Sequence, residues 1–133
     1  MANKLYPKGA EKILGAVNLS TDTIKAALLS DAYTYSAAHE FLSDVSATVI
    51  GTAVTLTSKS ITGGVFDSAD PVFALVAPGS NAKFVALFVD TGVAGTSSLL
   101  YLVDTATGLP MATNGGDITV QWDSGANKIF SLV

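Results

Sequence analysis

The chain has 133 residues, of which 49% are apolar, only 14% are charged and none is cysteine, and its formal net charge is −4. That length fits one compact domain whose core can form without disulfide or metal staples, and the missing cysteine excludes thiol catalysis, zinc–thiolate sites and redox switching. The acidic balance, with no cluster of basic residues to displace condensed counterions, argues against a nucleic-acid partner.

In chain order, the stretch from Met1 to Gly9 carries Lys4 and Lys8 but no apolar segment ending at a small-residue cleavage site. It does not read as a secretory signal, and the protein is expected to be made and used inside a cell. Pro7, the pair Ile13 and Leu14, and Gly15 predict a short N-terminal helix. After the polar cluster Asn18 to Asp22, the residues Ile24, Ala26 and Leu28 share one face of a first core strand. A helix competes there, because Ala and Leu favour helices and a short apolar run does not decide between them.

From Ser30 to Ser46 the periodicity breaks, and Tyr33, Tyr35 and Phe41 mark a long structured loop rather than disorder. Phe41, Leu42 and Val45 are spaced to face one way on a helical turn. Strands are then predicted over 48–50, 53–61, 65–66, 72–76, 82–90, 99–104, 117–123 and 128–132, with Gly, Pro, Asn or Asp in most of the breaks. Phe84 to Val89 is apolar on both faces, so it reads as a central strand covered twice, by the opposite sheet and by a helix, loop or neighbouring subunit. It and Leu99 to Val103 are the longest apolar runs, far short of the roughly 18–20 residues that span a bilayer. Gly92 to Ser98 reads as a flexible loop tip. Ile118, Val120 and Trp122 alternate with polar residues, which makes Trp122 a core anchor.

The expected fold is mostly β: an antiparallel β-sandwich or jelly-roll-like barrel with a short N-terminal helix. It forms one domain over residues 1–133, with the arm and helix in 1–22 and the long loop in 30–46.

Little of the sequence points to chemistry. His39 is the only histidine. Ser43 stands where a His-Glu-x-x-His metal motif needs its second histidine, and no Gly-x-Ser-x-Gly elbow supplies a nucleophile. Asp67, Asp70 and Asp117 lie in turns where short carboxylates cap backbone donors, and the stretch from Asp67 to Asp70 lacks the Gly and distal Glu of a calcium loop. Gly63-Gly64 and Gly115-Gly116 are turn glycines rather than phosphate cradles. No catalytic residue, cofactor or metal is therefore expected. An average soluble domain carries about 25% charged residues, so so uncharged a surface points to assembly, the alternative being a monomer coated with Ser, Thr, Asn and Gly. Leu5, Tyr6, Tyr33, Tyr35 and Phe41 are the candidate interface residues.

The order of a short helix ending in Gly15, Asn18 to Leu29, Tyr33, Ala38 to Val45, Phe84 to Thr91, Ser98 to Asp104 and Gly116 to Trp122 resembles a family of small structural proteins of tailed bacteriophages. The likeness covers most of the chain and rests on strand and turn signatures. It departs at Thr52-Ala53, where many relatives carry Gly-Tyr. The resemblance implies a non-enzymatic virion component assembled in the host cytoplasm, a homo-oligomeric capsid decoration or cement protein whose partner is the major capsid protein. A tail or head-to-tail joining component and a carbohydrate- or cell-surface-binding module are the alternatives.

Overall fold

A computed structural model of the chain describes residues 3–15, 17–104, 106–122 and 129–131. The fold is mostly β and antiparallel with one short helix near the N-terminus, as the pattern of strands and turns predicts. In chain order the elements are β1 (Lys4–Leu5), α1 (Pro7–Gly15), β2 (Ile24–Ser30), β3 (Val49–Thr55), β4 (Ser60–Thr62), β5 (Val65–Asp67) and β6 (Val72–Phe73). They continue with β7 (Asn81–Val89), β8 (Leu99–Val103), β9 (Met111–Ala112), β10 (Ile118–Thr119) and β11 (Phe130–Ser131).

The principal sheet runs β1-β8-β7-β2-β3, with β9 pairing the start of β7. Two smaller sheets, β10-β6 and β11-β5-β4, complete the β structure among the described residues. The observed strands are shorter than the sequence predicts over 53–61 and 72–76, because the chain leaves its ladder at the turns around Ser58 and Leu75, where φ is positive. The two-residue strands β1 and β9 carry no periodic signal of their own and exist through pairing with β8 and β7. Of the last two predicted strands, 117–123 and 128–132, residues 123, 128 and 132 lie outside the described residues.

Alternation along β2 and β7 divides the core in two. Ile24, Ala26 and Leu28 with Val85 and Leu87 face an inner cluster that holds Phe66, Phe73, Ile118, Val120, Trp122 and Phe130. Ala27 and Leu29 with Phe84, Ala86 and Phe88 face an outer cluster closed by Tyr6, Tyr33 and Val45. Phe84 to Val89 is thus the doubly covered central strand that its sequence predicts. Its outer cover is the chain's own N-terminal arm and long loop, so the strand needs no neighbouring subunit to stay dry. Trp122 is buried as predicted, its indole N–H donating to Ser68 Oγ at 3.1 Å and to the Ala69 carbonyl at 3.2 Å.

The arm is fixed by a close approach. Lys4 and Leu5 pair with Leu102 and Tyr101, and the Tyr6 N–H continues the ladder to the Leu100 carbonyl at 3.0 Å. One turn later, helix α1 lays Gly9 directly on β8: a Cβ there would lie 2.4 Å from the Leu99 carbonyl oxygen and 2.7 Å from the Leu100 Cα. Backbone cannot yield as a side-chain tip does. Gly9→Ala is therefore expected to lose about 1–3 kcal/mol in urea unfolding through overpacking, although Ala at an open helix position gains about 1 kcal/mol over Gly. Gly15→Ala, with nothing within 4 Å, is the control and should not destabilise.

Candidate functional site

Three of the five candidate interface residues meet in one place. Tyr6 enters from the arm, and Tyr33 and Tyr35 enter from the loop between β2 and β3. The Tyr6 hydroxyl lies 2.8 Å from the Tyr33 hydroxyl, which lies 2.8 Å from Nδ1 of His39. Tyr35 packs its ring 5.5 Å from that of Tyr6, and Lys4 holds its ammonium 4.6 Å from the Tyr35 ring centre, a cation–π contact. The rings of Phe84 on β7 and Tyr33 meet in a T-shaped arrangement with centres 5.6 Å apart.

Tyr6 and Tyr33 are buried inside the chain, so in this conformation their rings cover β7 rather than facing a partner. Leu5, one residue away on a strand, points to the opposite face and packs on the inner cluster. Tyr35 and Phe41 are half-buried.

The direction of the hydroxyl chain follows from its buried end. Among the described residues Tyr6 has Tyr33 as its hydroxyl partner, so with Nδ1 of His39 accepting, Tyr33 donates to His39 and Tyr6 donates to Tyr33. Burial, reinforced by the Tyr33 bond, pushes the Tyr6 hydroxyl far above the usual tyrosine range. Burial also raises Tyr33, while the hydrogen bond from Tyr6 acts the other way. Both hydroxyls stay protonated and serve as structural donors.

Phe41 and Leu42 tie the loop to its neighbour. Phe41 forms an antiparallel bridge with Ser98, the Leu42 N–H donates to the Ser97 carbonyl at 2.8 Å, and the Ser43 N–H donates to the Ala94 carbonyl at 3.1 Å. The segment 92–98, expected to be a flexible tip, is a closed turn. The Ser97 and Thr96 hydroxyls both donate to the Val93 carbonyl, the Thr91 N–H donates to Ser97 Oγ, and Ser97 is fully buried. Hydroxyl groups give this glycine-containing turn the rigidity that its composition does not suggest.

Asp44 organises the outer rim, its carboxylate accepting the Glu40 and Phe41 N–H groups at 2.8 and 2.9 Å. Those two bonds hold its carboxyl below the usual range, with His39 adding to the effect. Behind the rim, Tyr33, Thr34, His39, Val45 and Thr48 line an open depression of about 220 Å³. That is below the roughly 300–1,000 Å³ of a typical small-molecule site, and the ring that would floor it is buried in the core.

The large apolar side chains that do face solvent lie elsewhere, and composition alone did not single them out. Leu14 at the end of the helix is 83% exposed, Leu75 77%, Val93 61%, Ile61 49% and Val72 46%. Leu75 stands at φ 48°, a left-handed conformation that costs a leucine about 1–2 kcal/mol. It is held there by its N–H donating to the Asp117 carboxylate at 2.9 Å and by Val76 pairing with Gly115 and Gly116. Asp117 and Asp70 do cap backbone donors, but distant ones: Asp70 accepts the Trp122 N–H at 2.9 Å.

Tyr33→Phe is expected to cost about 1–3 kcal/mol, because it strands the buried Tyr6 donor. Tyr6→Phe combined with Tyr33→Phe should recover part of that loss in a urea double-mutant cycle, since the stranded donor goes too. The depressed carboxyl of Asp44 makes a second prediction. Its contribution is complete above the usual carboxylate range and is lost as pH falls through its lower folded value. Amide exchange at Glu40 and Phe41 should therefore accelerate at acid pH beyond the intrinsic change, and in Asp44→Asn that extra acid dependence should vanish. Set against protein-family models and curated proteins, the sequence matches none.

Proposed function

We propose that the chain is a non-enzymatic structural component of a tailed-bacteriophage particle, most specifically a decoration protein that binds the outer surface of the head shell. The observation that carries the reading is where the exposed apolar side chains stand. Leu75 and Val93 sit on turns pinned by side-chain-to-backbone hydrogen bonds, on a chain with only 14% charged residues. Apolar contacts that are already ordered lose little entropy on docking, and a weakly charged surround lowers the desolvation cost of covering them. Repetition of modest contacts on a symmetric lattice then gives firm attachment through effective concentration. The sequence resemblance to phage structural proteins supports the same reading.

The test is the mass of the purified protein in solution together with cryo-electron microscopy of the particle. Density for this chain repeated over the shell supports the proposal, and a strictly monomeric protein missing from the particle overturns it. Leu75→Asp is expected to weaken co-sedimentation with undecorated shells by at least about tenfold, which corresponds to roughly 1.4 kcal/mol. Leu75→Gly should leave chain stability within about 1 kcal/mol of the parent, because relief of backbone strain offsets the added chain entropy. It should still bind shells more weakly.

A further inference from the structure

Among the described residues the hairpin β4-β5 ends in an open edge with an unusual composition. Its turn is Gly63-Gly64, both at positive φ, 61° and 80°, the two-residue geometry that makes Thr62 and Val65 a hydrogen-bonded pair. Antiparallel pairs alternate, so Ile61 and Phe66 form a non-hydrogen-bonded pair, and the Ile61 N–H and C=O both point away from β5 toward the free edge. On the other side, β5 is occupied by β11 through Phe66↔Phe130.

Residues directly opposite each other in such a sheet share a face, so Phe130, Phe66 and Ile61 form one apolar row across three strands. The row begins in the core, where Tyr101 stacks on Phe130 at 4.9 Å and Phe130 meets Phe66 at 5.4 Å. It ends at Ile61, 49% exposed, at the last strand. Edges of this kind are normally guarded by an outward lysine, a proline, a bulge or the shortness of the strand, and of these β4 has its three-residue length. Here β4 reads Ser-Ile-Thr, and the adjacent Lys59 turns its ammonium inward to the Asp22 carbonyl.

We infer that β4 is a self-association edge, pairing antiparallel with β4 of a second copy about a two-fold axis through Ile61. The register is dictated by the ladder. With Ile61 opposite Ile61 of the other copy, each residue offers an outward N–H and C=O to its mate, two backbone hydrogen bonds form, and the apolar row continues unbroken from one chain into the next. Ser60 then faces Thr62, and Lys59 faces Gly63, so the two-fold places no like charges opposite one another and leaves no polar side chain against an apolar one. A foreign strand gains the backbone bonds but needs its own apolar residue in that register, whereas a second copy supplies it by symmetry. The strand is short, and its contact lies well below the roughly 800 Å² per partner of a stable dimer. Pairing in dilute solution is therefore weak and dependent on concentration, and it gains strength where copies are held side by side.

The test uses the whole chain, which lacks cysteine. Ile61→Cys places two thiols across the axis at a Cα spacing of about 5.5 Å, within disulfide reach. It is expected to form disulfide dimers under mild oxidation at least about tenfold faster than Val93→Cys, whose side chain is also exposed. In sedimentation, Ile61→Lys, with like charges at the axis, should weaken self-association at least about tenfold while circular dichroism shows the parent fold. Cross-linking no faster than at Val93, or self-association undiminished by Ile61→Lys, overturns the inference. Either result leaves the shell-binding reading standing, which is tested separately: particles that still take up Ile61→Lys show that shell binding does not depend on this contact.

Discussion

Strands β2, β7 and β8 carry apolar side chains on both faces, and the chain must supply a separate cover for each face. That requirement shapes everything else. The two small sheets and their aromatic residues cover the inner face. Among the described residues the outer face has no second sheet, and is closed by an arm and a long loop held by the Tyr6–Tyr33–His39 chain, while Ile13 of the helix packs on the inner cluster. Loops are poor covers for apolar strands because their backbone groups need partners. In this protein Asp44, Ser97 and the bridge between Phe41 and Ser98 provide them.

The same division explains where contact surface is available. Most aromatic rings, which would make good anchors for a partner, are used internally, with Tyr6 and Tyr33 on one face and Phe66 and Phe130 on the other, while Tyr35 and Phe41 are half-buried. Aliphatic residues on turns, at the end of the helix and at one sheet edge remain outside. Each exposed site is modest, which suits a protein whose attachment depends on number rather than on a single deep contact.

What could be read in the sequence was whatever period and turn chemistry encode locally. The helix between Pro7 and Gly15, the strand beginning at Ile24, the alternation that buries Ile118, Val120 and Trp122, and the double coverage of Phe84 to Val89 are local signals and appear in the fold. The orientation of Tyr6 was not readable, because its burial depends on pairing between β1 and β8, and a two-residue strand has no period. Tyr33 was legible as structured but not as inward-facing, since its place is fixed by Tyr6 and His39 rather than by its neighbours in sequence. The exposed leucine at position 75 was hidden in an apolar run, and only its backbone angle distinguishes it from the buried Phe73 and Val76 on either side.

The hydrogen bond between Asn3 and the Asp104 amide joins residues 101 positions apart. During synthesis at roughly 5–20 residues per second, the arm emerges from the ribosome roughly 5–20 s before the strand that receives it. The outer layer therefore stays open while most of the inner one is being made, with Tyr6 and the loop tyrosines in water. The arm is thus seated only once β8 has been made, and the interval before β8 arrives is when a nascent chain of this composition most needs shielding from its neighbours.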